Sequence, residues 1–175
     1  MLFRSSDGVL GGAGYSRYEI ANFAKPGHEC RHNLTYWRNE PFIGIGAGAH
    51  SSTVAARFAD LRPLGSYIRG AAEWRKAAFE KPLVPLKSGP IDWVEELPEH
   101  TRLGESMMLG LRLAGGVDLA EYASKHGVDP LERWKGDIDE LSSYGLLEIT
   151  DGRVRLTARG RLLGDGVFER FLLEP

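Results

Sequence analysis

Cysteine occurs once in the 175 residues, at Cys30. A lone thiol closes no intrachain disulfide and cannot build a centre that needs several thiolates. An excess of one charge is also missing. Lysine and arginine number 22 against 24 aspartates and glutamates, and a net charge of −2 gives no overall attraction to nucleic acid or to an anionic membrane. No apolar run approaches the roughly 20 residues of a membrane-spanning helix, so no membrane anchor is expected. Residues 1–14 hold one arginine and too short an apolar stretch for a secretory signal. These absences make a cytoplasmic protein the expectation.

What is present is ordinary in bulk. A hydrophobic share of 42% with 26% charged residues suits a globular chain of one domain or two small ones. Gly11-Gly12-Ala13-Gly14 reads as a helix end leading into a strand, because glycine accepts the left-handed cap. Tyr15, Tyr18, Ile20 and Phe23 give 15–23 the character of a strand, and Glu19 is expected to be a solvated residue on it. Lys25-Pro26-Gly27 is turn chemistry that leaves His28 exposed. Residues 32–37 form a short helix or a turn. Residues 42–49, with Gly44, Gly46 and Gly48, read as a buried strand that something approaches closely. Tyr67, Ile68, Ala71 and Trp74 mark a helix over 64–76. Pro82, Pro85, Gly89 and Pro90 then form a proline-rich connection. The expected division is 1–81, a linker at 82–90, and 91–175.

Beyond the linker the pattern turns helical. Leu103, Met107, Leu109, Leu111 and Leu113 line a helix that stops at Gly115-Gly116, with Met107 and Met108 as core. Asp118 caps a second helix that Gly127 ends, and Asp129-Pro130 opens a third that runs to Tyr144. Asp151-Gly152 between two short alternating runs predicts a hairpin. Thr157 caps a last helix over 158–172. Helix, helix, helix, hairpin, helix is the order of a winged-helix module. Such modules often read DNA with the third helix, but here that helix carries Glu132, Asp137, Asp139 and Glu140, a poor face for phosphate. Nucleic acid is not the expected partner.

The densest chemistry lies at His32-Asn33-Leu34-Thr35-Tyr36-Trp37, with an imidazole, an amide, a phenol and an indole in six residues. A glycine-rich run ending at His50 follows. Two bland readings compete with a site. His32, Asn33 and Tyr36 can simply hold a loop by hydrogen bonds, and the glycines can admit a neighbouring element. Cys30 is most simply an inert small residue.

The runs Tyr18-Glu19-Ile20-Ala21-Asn22-Phe23-Ala24-Lys25-Pro26-Gly27, His32-Asn33-x-x-Tyr36-Trp37 and Gly44-Ile45-Gly46-Ala47-Gly48-Ala49-His50-Ser51 appear in order. With Gly110-Leu111-Arg112-Leu113 and Leu156-Thr157-x-x-Gly160, the chain resembles the C-terminal half of radical S-adenosylmethionine proteins related to oxygen-independent coproporphyrinogen III oxidase. The His-Asn-x-x-Tyr-Trp segment is most similar to their HemW branch of haem chaperones. The resemblance covers about residues 13 to 173.

The resemblance implies an α/β fold: the last strands and helices of a TIM-like barrel, followed by a winged-helix-like α+β domain. It implies haem binding by His32, Asn33, Tyr36 and Trp37, with His32 as candidate iron ligand. It places Gly44, Gly46, Gly48 and His50 on the S-adenosylmethionine side of the barrel. Such proteins hold a [4Fe–4S] cluster on a Cys-x-x-x-Cys-x-x-Cys loop that this chain lacks. The cluster and S-adenosylmethionine are therefore not expected to be held by this chain alone, and no catalytic residue is assigned. The expectation is a truncated product, or a partner chain that supplies the missing half. The function implied is haem transfer to client proteins; the alternatives are porphyrin synthesis as an oxidase and nucleic-acid binding by the winged helix. The sequence leaves the oligomeric state open.

Overall fold

A computed structural model describes the backbone of residues 2–80 and 89–172, with the side chains of 6–75 and 89–172. In chain order the elements are α1 (Leu2–Gly12), β1 (Ser16–Arg17), β2 (Phe23–Ala24), α2 (Arg31–Trp37), β3 (His50–Ser52), β4 (Ala56–Asp60), α3 (Leu64–Glu80), β5 (Ile91–Glu96) and α4 (Glu99–Leu111). They continue with β6 (Val117–Asp118), α5 (Leu119–His126), α6 (Pro130–Arg133), α7 (Lys135–Ser143), β7 (Leu147–Thr150), β8 (Arg153–Leu156), α8 (Ala158–Leu162) and α9 (Gly164–Leu172). The fold is mixed α and β, as expected. All the described strand pairs are antiparallel; a parallel barrel ladder is not among them.

The chain divides into two compact units, Met1–Asn39 with Leu103–Pro175, and Glu40–Arg102. This differs from the division expected at 82–90. Residues 82–88 lie outside the described residues, and β5, just beyond them, is a strand of the same sheet as β4, with Phe58 opposite Val94 and Ala59 opposite Trp93. Proline density suggested a boundary, but β5 satisfies its backbone groups on β4, which keeps it in the earlier unit.

In the first unit the single strand expected over 15–23 is a hairpin. Oε1 of Glu19 accepts from the Ala21 amide at 3.0 Å and from the Asn22 amide, so these N–H groups point at a side chain instead of a strand. Glu19 is 2% exposed, the opposite of the solvated residue expected. Its backbone bridges to Leu113, which ties the hairpin to the chain after α4. Arg17 reaches back to Asp7 of α1 at 2.8 Å. The turn at Lys25 closes as expected, the His28 amide donating to the Lys25 carbonyl at 2.9 Å with Gly27 at φ 80°.

The rest of this unit follows the winged-helix order, with a sheet ordered β6-β8-β7. Asp118 caps α5 by accepting from the Glu121 amide at 2.9 Å, and Gly127 ends it at φ 71°. The third helix is broken into α6 and α7 at Trp134, whose φ −113° and ψ 33° leave the helical region. The indole is 2% exposed, and its burial in the core outweighs helix continuity. Asp151 and Gly152, both at positive φ, make the turn of the β7–β8 hairpin. The last helix is likewise two pieces, α8 and α9, parted at Leu163. Met107, Leu111, Ile138, Val154, Val167 and Phe171, each at most 2% exposed, form the centre of one core.

The Asp118 carboxyl is held below its ordinary range, first by the Glu121 amide and then by Arg153 at 3.1 Å. A depressed carboxyl contributes stability that is complete above its unfolded pKa and disappears as pH falls through the folded value. Thermal unfolding from pH 6 down to pH 2 should therefore show a shallower acid decline for Asp118→Asn than for the wild type. Parallel declines would remove Asp118 as a source of acid sensitivity.

In the second unit β3, β4 and β5 form an antiparallel sheet in that order, with α3 following β4. The buried strand expected over 42–49 is not formed. Only Phe42 bridges, to Ser52, and the strand begins at His50. Gly46 at φ 115° and Gly48 at φ 72° take the backbone out of the extended region that a ladder requires. Ile43 and Ile45 are 65% and 89% exposed, so the segment is an open loop.

Candidate functional site

α2 carries His32, Asn33, Tyr36 and Trp37 on two adjoining faces, because residues four apart share a face. His32 and Tyr36 form the outer one. Both are exposed, and their rings meet edge to face at 4.8 Å with 80° between planes. No hydrogen bond of His32 is found among the described residues, so its ring nitrogens are open to an incoming metal. Asn33 and Trp37 form the inner face. Nδ2 of Asn33 donates to the Tyr18 hydroxyl at 3.3 Å. The Trp37 ring lies 4.6 Å from the Arg112 guanidinium, which also sits 5.2 Å from the Phe168 ring.

The end of α2 is tied to the winged-helix elements. Nζ of Lys125, in the last turn of α5, donates to the Arg38 carbonyl at 2.9 Å and to the Asn39 carbonyl at 3.3 Å. A cation among terminal carbonyls is favourable at a helix C-terminus. Nδ2 of Asn39 donates to Ser106 Oγ at 2.9 Å, with Asn39 in the left-handed region at φ 49°. A seven-residue helix is too short to be stable alone; here tertiary bonds at both ends hold it. Tyr18, Asn39, Arg112 and Lys125 were missed as parts of this site. Arg112 alone left a signal, a cation inside the apolar run Gly110-Leu111-Arg112-Leu113.

Gly44, Gly46, Gly48 and His50 lie in the other unit. The amide of Gly44 donates to Ser51 Oγ at 3.0 Å. A Cβ at Gly44 would overlap the His50 carbonyl oxygen, so the missing side chain makes room for the chain's own backbone. Gly46 faces open space, and Gly48 lies against Arg62. His50 is exposed, its ring 5.7 Å from Trp93 at 67°. Cys30 is exposed at the start of α2. One thiol does not fit a [4Fe–4S] cluster, and among the described residues no group of three or more His, Cys, Asp or Glu side chains could hold a metal ion. Among the described residues no helix is long and apolar enough to cross a membrane.

Comparison with known proteins places this geometry. Residues 97–163 match the family model of the HemN C-terminal domain. The heme chaperone HemW of Bacillus subtilis strain 168 is 37% identical over 161 residues, covering 92% of this chain and 39% of that protein. HemW of Lactococcus lactis strain IL1403 is 35% identical, over 95% of this chain and 40% of its own. HemW of Escherichia coli K12 is 28% identical, over 99% and 42%. The chain thus spans about two fifths of the length of these curated relatives. Among solved structures, the coproporphyrinogen III oxidase HemN of Escherichia coli, a radical SAM enzyme, superposes with a TM-score of 0.62 over 96% of this chain and 39% of its own, at 16% identity. That likeness is one of fold. The chain corresponds, over nearly its whole length, to the C-terminal part of HemW-type proteins.

Proposed function

We propose that this chain binds haem through α2 and passes it to client proteins, as the C-terminal part of a HemW-like haem chaperone. The observation that carries the reading is His32: an exposed imidazole with no hydrogen bond among the described residues, set edge-on to Tyr36, on a short helix held at both ends. His32 would hold haem through its iron, for which neutral imidazole is a common ligand. Tyr36 adds a flat apolar surface with a polar tip beside it. The bonds from Lys125, Asn39 and Asn33 fix the direction of α2, so His32 does not have to be ordered at the moment of binding.

The exposure of His32 suits transfer. A ligand held on an open helix face can be reached by an acceptor protein, whereas one sealed in a core cannot. The glycine loop and His50 carry no proposed role toward S-adenosylmethionine, since the space at Gly44 is filled by backbone. The oxidase alternative requires radical chemistry on a cluster that these residues do not fit.

The test is titration of the chain with haem, followed in the Soret band. The wild type should give a shifted band, and His32→Ala should bind at least tenfold more weakly, about 1.4 kcal/mol, with an unchanged far-UV circular dichroism spectrum. Equal binding by both proteins would remove His32 as a ligand and leave it a surface residue on α2.

A further inference from the structure

Arg112 is a cation without an anion among the described residues. Its guanidinium lies near two aromatic rings, 4.6 Å from the Trp37 centroid and 5.2 Å from that of Phe168. Nε is sealed from solvent with no acceptor, as is Nε1 of Trp37. Neither terminal nitrogen of Arg112 has an acceptor among the described residues, and these two are not sealed. Four arginines of this unit show the contrast: Arg17 pairs with Asp7, Arg153 with Asp118, Arg155 with Glu148, and Arg170 with Asp137 and Glu140; Arg133 also has a sealed Nε and lies 5.3 Å from the Trp134 ring, but it is not beside α2. A half-buried guanidinium has lost part of its hydration, and stacking on two rings restores only some of that loss.

We propose that Arg112 is the carboxylate anchor of the α2 site, and that it receives a propionate side chain of the porphyrin. The proposal rests on the haem reading above and deepens it. Three observations converge. The guanidinium lies against the Trp37 and Phe168 rings with terminal nitrogens that have no acceptor among the described residues, and a guanidinium fork can grip a carboxylate with two parallel hydrogen bonds. It is stacked on Trp37, whose neighbour in the chain, Tyr36, lies on the face with His32. And it has no competing carboxylate to displace among the described residues. The missing partner is therefore a singly charged, planar acceptor carried by the ligand. A propionate attached to an aromatic macrocycle meets that description, and its ring edge would lie beside the α2 aromatics. Held in this way the ligand is oriented as well as bound, because an iron–imidazole bond alone leaves the macrocycle free to rotate about it.

The experiment uses metal-free mesoporphyrin and its dimethyl ester, so that no iron ligand contributes. Binding to the full 175-residue chain is read from porphyrin fluorescence and from the Trp37 indole resonance in a 15N spectrum. The wild type should favour the diacid over the ester by about tenfold and shift the indole signal only with the diacid. Arg112→Met, which keeps an apolar side chain against the rings without charge, should bind both forms alike, and Arg112→Lys should recover part of the preference. His32→Ala should leave the preference intact, which separates this claim from the iron-ligand reading. Equal binding of diacid and ester by the wild type overturns the proposal without any variant. So does a preference that survives in Arg112→Met. Absence of binding of either form overturns the proposal while leaving the haem titration to judge His32.

Discussion

Glu19→Ala should destabilise the first unit by about 2–4 kcal/mol. The side chain is 2% exposed and its Oε1 takes two amide protons, those of Ala21 and Asn22. Truncation removes two part-buried hydrogen bonds to a carboxylate, and a hydrogen bond to a charged group is worth roughly 1.5–3 kcal/mol at most. It also opens a cavity where the side chain stood. Glu19→Gln keeps an oxygen at the same reach and should lose less than half as much. Urea unfolding followed by far-UV circular dichroism measures both. Because Glu19 turns the chain that carries Tyr18, the hydrogen bond from Asn33 to Tyr18 should weaken too, and Glu19→Ala should bind haem more weakly than Glu19→Gln. Equal midpoints for Ala and Gln would show that the acceptor is not what holds the turn.

Glu19 also marks the kind of feature that a single chain hides. An alternating run with aromatic and β-branched residues scores as a strand, and nothing local says that a carboxylate will fold back onto the next two amides. The helical unit was legible because its signals are local: Asp118 before α5, Gly127 after it, Asp151-Gly152 in the hairpin and Thr157 before α8 all act within a few residues of themselves. The breaks at Trp134 and Leu163 were not, since each depends on where a distant core sits. The glycine run misled for a related reason. Gly44, Gly46 and Gly48 alternate as strand residues would, but positive φ at two of them is a loop property that composition does not reveal. The proline cluster misled in another way, because the residue types that make a stiff connection do not say which strand the chain will pair with beyond it.

The site was half legible. Motif likeness singled out His32, Asn33, Tyr36 and Trp37, and the structure puts all four on one short helix. What holds that helix came from residues 67 to 87 positions away, Ser106 and Lys125, and no spacing rule reaches that far. The consequence is mechanical. α2 is adjacent in sequence to the glycine loop, yet Lys125, Ser106 and Arg112 of the winged-helix elements contact its C-terminal end, so under the proposed haem reading those elements would position His32. The acids of α7 are paired: Asp137 and Glu140 are taken up by Arg170 at 2.6 and 2.5 Å, and Asp139 by Lys135 at 2.8 Å.

If that positioning depends on the core, one of the core's buried rings should show it. Phe171→Ala is expected to cost about 3–5 kcal/mol, the usual range for deleting a buried aromatic ring. Phe171 is 2% exposed and stacks edge to face on Trp134 at 5.7 Å, and Trp134 in turn meets Tyr122 at 6.1 Å. These rings join α9, the α6–α7 break and α5 in one contact chain, and Lys125 of α5 is what grips the end of α2. The loss should lower the melting temperature by roughly 10 °C, at about 2–4 °C per kcal/mol for a chain of this size. Phe171→Leu, which keeps most of the volume, should cost about 1.5 kcal/mol or less. Ile149→Ala supplies the control, because Ile149 is apolar but 49% exposed and should change stability by no more than about 0.5 kcal/mol. Haem binding by Phe171→Ala, measured below its melting temperature, should fall with the order of α5. A variant that melts 10 °C lower and still binds as the wild type does would break the link between this core and the α2 site.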